Sequence, residues 1–445
     1  MRVVIIGGVA AGMSAAAKLK RMKPDYDVVI YEKTDIISFG ACGLPYFVGG
    51  FFDDPKELIA RTPEEFKKTG IELNIFHEVI DVNVTEKKLS IKNIKTGEVI
   101  EDTYDKLMVA TGARSVIPPI KNINLENVST LKSMDDGFKL RDLLEKEENK
   151  NIVIIGAGFI GLEAIEAAKH KNKNVTIFQL EDRILPTVFD KEITDLLQEE
   201  IKSHNVDLRL GESVTELIGD TKVEKVITSS GDEIKADVVI IATGVKPNTE
   251  FLKNTDIKML ENGALIVDEY GQTSISDIYS AGDCATIKNA ITNEDVYVPL
   301  ATGANKLGRI VGENLAGANN SFQGSLSSSC IKVMNMEAAS TGLTEAQAKI
   351  LGINYSTSFI TDYNYTSYYP GRSKIYVKLI YFTDSKVLLG GQVAGYKDAV
   401  QRSNVLAAAI AGKLTTKQLG MLDLCYAPPF ARTWDVLNVA GNVSK

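Results

Sequence analysis

The chain is poor in the residues that most often carry chemistry: 445 residues contain four cysteines, three histidines and one tryptophan. Cys42, Cys284, Cys330 and Cys425 stand far apart with no CxxC pair, which excludes a disulfide framework and the usual zinc-ligand spacing. No metal is expected, and any cysteine chemistry has to work from a single sulfur. Long apolar runs are also missing. No stretch of about 18 residues escapes a charged or polar break, so no membrane-spanning helix is expected. The opening MRVVIIGG is too short for a signal-peptide core and reads as a first buried strand. A soluble, cytoplasmic protein is the expectation. Positive charge is not in excess either: the formal net charge is -8, which argues against nucleic acid as a general partner, although a local basic pocket can still hold a phosphorylated ligand. With 44% hydrophobic residues over this length, the chain exceeds one ordinary core, and about three domains are expected.

What is present is glycine in ordered places. Arg2 to Ile6 reads as a strand, Gly7 and Gly8 as a turn, Gly12 to Met22 as a helix, and Val28 to Tyr31 as a second strand followed by Glu32. In such a unit the glycines let the backbone approach a pyrophosphate at the helix N-terminus, and the acid ending the second strand bonds a ribose hydroxyl. Gly7, Gly12 and Glu32 hold those roles, with Val9 where a second glycine is usual. A fuller copy follows in NIVIIGAGFIGLE: a strand from Ile152 to Ile155, then Gly156, Gly158 and Gly161, a helix, and VTIFQ ending at Gln179. Glu181 lies two residues on, with no lysine or arginine beside it. A neutral amide at Gln179 discriminates modestly between NADH and NADPH, with the balance towards NADH.

Two nucleotide units imply two nucleotides. KLMVATGA (Lys106 to Ala113) and VVIIATGVKPN (Val238 to Asn248) form an internal repeat, each a strand running into a threonine-glycine turn, and SDIYSAGDCA sets Asp283 after a short apolar strand. The order of two fingerprints, two ATG turns and an AGD segment is similar to that of the pyridine nucleotide-disulfide oxidoreductases over nearly the whole chain. The resemblance implies an α/β fold with two Rossmann-like domains, for FAD and for NAD(P)H, and a C-terminal α+β dimerisation domain. The segments expected are 1–115 and 246–322 for FAD, 116–245 for NADH or NADPH, and 323–445 for a homodimer interface. It further implies nucleotide contacts at Lys33, Val79, Ala110, Thr111, Gly112, Ile160, Glu163, Gly244, Gly282 and Ala301.

SFGACGLPY begins soon after Glu32 and holds Cys42 where two-cysteine members of the family have a pair. A cysteine near a helix N-terminus gains thiolate character from the dipole, and a flavin beside it exchanges electrons with it. Through one sulfur the available states are a mixed disulfide, a persulfide or a sulfenic acid. Among single-cysteine members, NADH peroxidases and oxidases carry a histidine in the first glycine turn, where this chain reads GGVAAG with Ala10. YTSYYPGRS (Tyr365 to Ser373) and LCYAPPF (Leu424 to Phe430) resemble C-terminal strings of the coenzyme A-disulfide reductases. In that subfamily a tyrosine of each string reaches the partner chain's cysteine; the matching positions are Tyr368 and Tyr426. A phenol held near a departing thiolate is suited to protonate it.

Coenzyme A brings phosphates that need cations. By resemblance Ser14, Lys18, Arg21, Ser38 and Asn305 line its channel, and Arg61 is a further candidate. The reading is a flavin-dependent NAD(P)H oxidoreductase that reduces coenzyme A disulfide, or a related disulfide or persulfide, with Cys42 as nucleophile. Three alternatives stand beside it: an NADH oxidase or peroxidase working through a Cys42 sulfenic acid, a persulfide or polysulfide reductase, and a non-catalytic redox sensor. The chain ends soon after the dimer-like domain, so no appended rhodanese domain is expected, which weighs against the polysulfide alternative.

Overall fold

The first strand is Arg2–Ile6, and in the computed structural model, which describes residues 1–444, it lies at the centre of a five-stranded parallel sheet. Its neighbours are Asp27–Glu32 and Lys106–Val109, with Glu72–Ile75 and Ile278–Ser280 at the edges. Val3, Val4 and Ile5 are fully buried, as strands covered on both faces must be, and each contributes about 1.5–3 kcal/mol of transfer free energy. The helix Ala10–Met22 covers one face through Ala11, Ala15, Ala16 and Leu19. It begins two residues before the expected start, because Val9 already turns the chain into the helix.

A second five-stranded parallel sheet repeats the plan around Asn151–Ile155, flanked by Asn174–Gln179 and Val238–Ile241, with Val206–Leu210 and Val128–Ser129 outside them. Each parallel sheet is accompanied by a small antiparallel one: His77–Asn83 with Lys88–Asn93 and Val99–Thr103, and Val214–Ile218 with Lys225–Thr228 and Glu233–Lys235. The C-terminal part forms a five-stranded antiparallel sheet in the order Ser329–Val333, Met336–Gly342, Leu388–Gly395, Lys374–Phe382, Tyr355–Tyr363. The apolar helix expected at NVLAAAIAG is Ala399–Ala411, which buries Leu406, Ala409 and Ile410.

By contacts the chain separates into two compact units. One comprises Met1–Leu44, Phe52–Val116 and Val245–Ser325, and holds the first parallel sheet. Within it Ala113–Ser115 pairs antiparallel with Val245–Pro247. The other comprises Pro45–Phe51, Ile117–Gly244 and the segment from Leu326 onward, and holds the second parallel sheet and the antiparallel C-terminal sheet. No helix among the described residues is long and apolar enough to cross a membrane.

Candidate active site

The first glycine turn is built by close approach. A Cβ on Gly12 would stand 2.0 Å from the Gly7 carbonyl oxygen, so only glycine lets the helix start so near the turn. The helix opens with no side-chain cap and no acid in its first turn, which leaves its N–H groups and positive dipole end for an anion. Gly7 N–H bonds Tyr31 O at 2.9 Å, while Glu32, buried, accepts Gly8 N–H at 2.8 Å and the Thr34 N–H and hydroxyl at 2.9 Å. Lys33 is exposed beside it and Val79 is buried in the strand His77–Asn83.

A third element closes on this turn. The helix Ala301–Leu315 crosses Ala10–Met22 where Gly308 and Gly312 face Ala11 and Ala15; a Cβ on Gly312 would come within 2.4 Å of the Ala15 carbonyl oxygen. Ala301 begins that helix, again with no side-chain cap and no acid in the first turn. Gly282 stands against Ala11 and Ala304, and Tyr297 donates to the Asp283 carbonyl at 3.0 Å. Burial, with the Asp283 charge, pushes the Tyr297 phenol well up, so it stays a donor. The first ATG turn is clasped by Asn248: Thr111 Oγ1 donates to Asn248 O at 2.7 Å, Asn248 Nδ2 returns to Thr111 O at 3.1 Å, and Asn248 N–H bonds Gly112 O at 2.9 Å. Ala110 supplies the carbonyl against which Gly7 lies. Two uncapped helix starts, a buried ribose acid and side-chain-free turns suit a dinucleotide such as FAD.

Cys42 is exposed, in a single 3-10 turn, Ala41–Gly43, that leads into the short helix Leu44–Gly49. Its approach is seated on the glycine turn: Ser38, in the left-handed region at φ 50°, donates its N–H to Gly8 O at 2.9 Å and accepts Ala60 N–H at 2.9 Å. Gly40 N–H bonds Leu58 O at 2.8 Å. Burial pushes the Cys284 thiol up, and desolvation with the Glu163 and Glu337 carboxylates does the same to Cys330. Both are poor sources of thiolate.

The residues expected to line a coenzyme A channel divide. Ser14 Oγ donates to Asn305 Oδ1 at 2.8 Å, joining two residues far apart in sequence. Lys18 is engaged by Glu313 at 2.9 Å, where Asn320 also bonds. Burial opposes ionisation of Glu313, yet these partners hold its carboxyl below the usual range. Arg21 and Arg61 are exposed, Arg61 over the Phe66 ring at 5.7 Å.

In the second unit, the glycine turn repeats the first. A Cβ on Gly161 would stand 1.9 Å from the Gly156 carbonyl oxygen, whereas one on Gly158 would meet open space, as would one on Gly244. Gly158 is the uncapped start of Phe159–His170, and Ile160 lies in its first turn. Gln179 is buried and bonds Ala157 N–H and Glu181. Glu163, on the same helix, is half-buried, and desolvation with the Glu166 charge pushes its carboxyl up to about 7.

Tyr368 and Tyr426 are both exposed, and their hydroxyls meet at 3.4 Å. Their shared hydrogen bond raises Tyr368 and lowers Tyr426, which makes Tyr426 the more acidic phenol. Sequence reading missed what brings their loops together. Buried Arg402 donates to Asn364 O at 3.4 Å in one loop and Phe430 O at 3.2 Å in the other, and pairs with Asp435 at 2.8 Å. Arg432 also pairs with Asp362. The only signal was Arg402 as the single charged residue of Ala399–Ala411. Among the described residues there is no cluster of metal-ligating side chains.

These features define the class. Residues 1–307 match the family described as pyridine nucleotide-disulphide oxidoreductase, and residues 328–436 match that family's dimerisation domain. The chain belongs to this family and is an oxidoreductase. Among individual proteins it is similar to the NAD(P)H coenzyme A polysulfide/persulfide reductase of Pyrococcus horikoshii, 42% identical over 445 residues, covering 100% of this chain and 98% of that one. An NADH oxidase of Enterococcus faecalis is 36% identical over 99% of this chain and 98% of its own. A solved NAD-dependent persulfide reductase from A. fulgidus superposes with TM-score 0.96 at 35% identity, covering 100% of this chain and 83% of that chain.

Proposed function

We propose that the protein is a cytoplasmic, homodimeric, FAD-containing enzyme that uses NADH or NADPH to reduce coenzyme A disulfide or a coenzyme A persulfide through Cys42. In this reading 1–115 and 246–322 hold FAD, 116–245 the nicotinamide nucleotide, and 323–445 the dimer interface. Gly7, Gly12, Glu32 and Asp283 grip FAD, which when bound supplies two-electron transfer from NAD(P)H to the cysteine. The Cys42 thiolate attacks one sulfur of the disulfide, forming a mixed disulfide and releasing one thiolate. Tyr426, the more acidic phenol of its pair, gives that thiolate its proton, and Tyr368 stabilises the phenolate left behind. Two electrons and a proton then release the second thiol and return Cys42 to thiolate. Arg21 and Arg61 are the exposed cations for the phosphates of coenzyme A, with Ser14, Ser38 and Asn305 beside the channel.

The observation that carries this reading is the seating of the exposed Cys42 segment on the first glycine turn through Ser38 N–H and Gly8 O. Cys42→Ser is expected to purify yellow, with its FAD, and to lose turnover with coenzyme A disulfide; full retention of that turnover would sink the proposal.

A further inference from the structure

Tyr368 and Tyr426 are exposed side chains on loops 58 residues apart in sequence, yet their hydroxyls meet at 3.4 Å. One exposed hydrogen bond of that length holds little against the conformational freedom of two loops, so their meeting is set from beneath. Each loop has a fixed point. In the first, Asn364 and Ser373 are bonded across the neck: Asn364 N–H donates to Ser373 O at 3.1 Å, and Ser373 N–H donates to the Asn364 side-chain carbonyl at 2.8 Å. In the second, Phe430 N–H closes a turn onto Ala427 O at 2.9 Å, directly after Tyr426. The backbone carbonyls of Asn364 and Phe430 both accept from one atom, Nη2 of Arg402.

Arg402 is itself held on its other sides. Its Nε and Nη2 fork onto Asp435 at 2.9 Å and 2.8 Å, and its Nη1 donates to Asp398 O at 3.2 Å. Asp398, in the left-handed region at φ 63° at the head of the Arg402 helix, accepts the Tyr365 hydroxyl of the first loop at 2.5 Å. Asp435 caps the helix Val436–Val443 by accepting Leu437 N–H at 3.0 Å, and Asn438 of that helix donates to Leu422 O at 3.0 Å on the approach to Tyr426. Arg402 and Asp435 are both buried. A buried ion pair adds little net stability over an apolar filling of the same space, because desolvation offsets the attraction. What a planar guanidinium supplies, and an apolar side chain does not, is several N–H donors in fixed directions. Here those donors reach both tyrosine loops.

We infer that Arg402, oriented by Asp435, is a positioning residue for the reaction: it fixes the two loops so that the Tyr368 and Tyr426 hydroxyls meet, and so makes Tyr426 an effective proton donor. The inference rests on the proposed function in taking Tyr426 as the donor to the departing thiolate. The unequal acidity of the two phenols comes from their shared hydrogen bond, so it lasts only while the hydroxyls stay together. Lysine in place of Arg402 keeps a charge against Asp435 but offers a single ammonium instead of the fork, and one group then no longer aims both loops.

The test is a double-mutant cycle on the full-length, FAD-loaded protein, with NADH as donor and coenzyme A disulfide as acceptor. Arg402→Lys alone is expected to lower kcat by about tenfold or more, with KM and the rate of flavin reduction by NADH within about twofold of the wild type. Added to Tyr426→Phe, it is expected to cost less than about twofold further, because its effect passes through the hydroxyl already removed. Arg402→Gln combined with Asp435→Asn removes both buried charges together and is expected to behave like Arg402→Lys; it carries the test where the lysine variant does not fold. Unchanged kcat in these variants, or the same loss with and without the Tyr426 hydroxyl, would overturn the inference. Failure of both to yield FAD-loaded protein would overturn it as well, by making the pair a requirement of the fold. Unchanged kcat in Tyr426→Phe itself would instead overturn Tyr426 as the donor of the proposed function, and this inference with it.

Discussion

Tyr368 and Tyr426 share one hydrogen bond. It lowers Tyr426 and raises Tyr368, and the proposed function accordingly takes Tyr426 as the proton donor. Tyr426→Phe is therefore expected to lower kcat for disulfide reduction about a hundredfold, while Tyr368→Phe moves the alkaline limb of the pH-rate profile upward. Equal, pH-independent losses in both variants would show that the pair is only packing. Glu163 makes a second prediction at this scale. Its carboxyl lies near 7 in the folded protein against an ordinary 4.5. From pH 4.5 to 7 the unfolded chain loses this proton first, so the residue increasingly destabilises the fold, and the penalty is complete above 7. Glu163→Gln should be about 2 kcal/mol more stable than the wild type at pH 8, and close to it at pH 4.5, in urea melts. The opposite order would show that a partner holds the charged form.

Elements of the nucleotide modules were legible because their physics is local. The strand Arg2–Ile6 lies where its apolar run predicts, and Asn151–Ile155 starts one residue earlier than expected; both end at glycines that later atoms require. The C-terminal sheet was less legible. Leu388–Gly395 is buried throughout, so it shows no alternation to read, and Gly390 is there because a Cβ would stand 1.9 Å from the Leu343 carbonyl oxygen. Ion pairs across elements were invisible for the same reason. Lys18, expected by resemblance in the coenzyme A channel, has Glu313 against it, a pairing that no motif signals. Arg402, which ties both tyrosine loops, had no motif around it. Lys378, 1% exposed in the strand Lys374–Phe382, is another such case. Burial would lower its pKa, but Glu192 at 2.8 Å and Glu345 at 2.6 Å, with Asp190 nearby, raise it. Asp190 in turn accepts Glu345 N–H at 3.0 Å and Gln392 Nε2 at 2.8 Å. Lys378→Met leaves these carboxylates facing one another and is expected to cost about 3 kcal/mol, read as an earlier urea transition. A neutral result would mean that water replaces the ammonium.

For the whole molecule, the proposed function makes one exposed sulfur, that of Cys42, serve a coenzyme A-type acceptor. Other family members named above bear the names of persulfide reductases and of an NADH oxidase, so the acceptor is where the account stands or falls. Two features of this chain favour a disulfide or persulfide acceptor: Ala10 in the first glycine turn, and the paired phenols of Tyr368 and Tyr426. The most direct measurement is anaerobic NADH oxidation by the purified protein with coenzyme A disulfide, coenzyme A persulfide, glutathione disulfide and hydrogen peroxide compared as acceptors. The account predicts turnover with the coenzyme A compounds at least tenfold above glutathione disulfide, as expected when phosphate-binding cations contribute to recognition. Turnover with peroxide alone, or only once air is admitted, would contradict it and assign Cys42 to sulfenic acid chemistry.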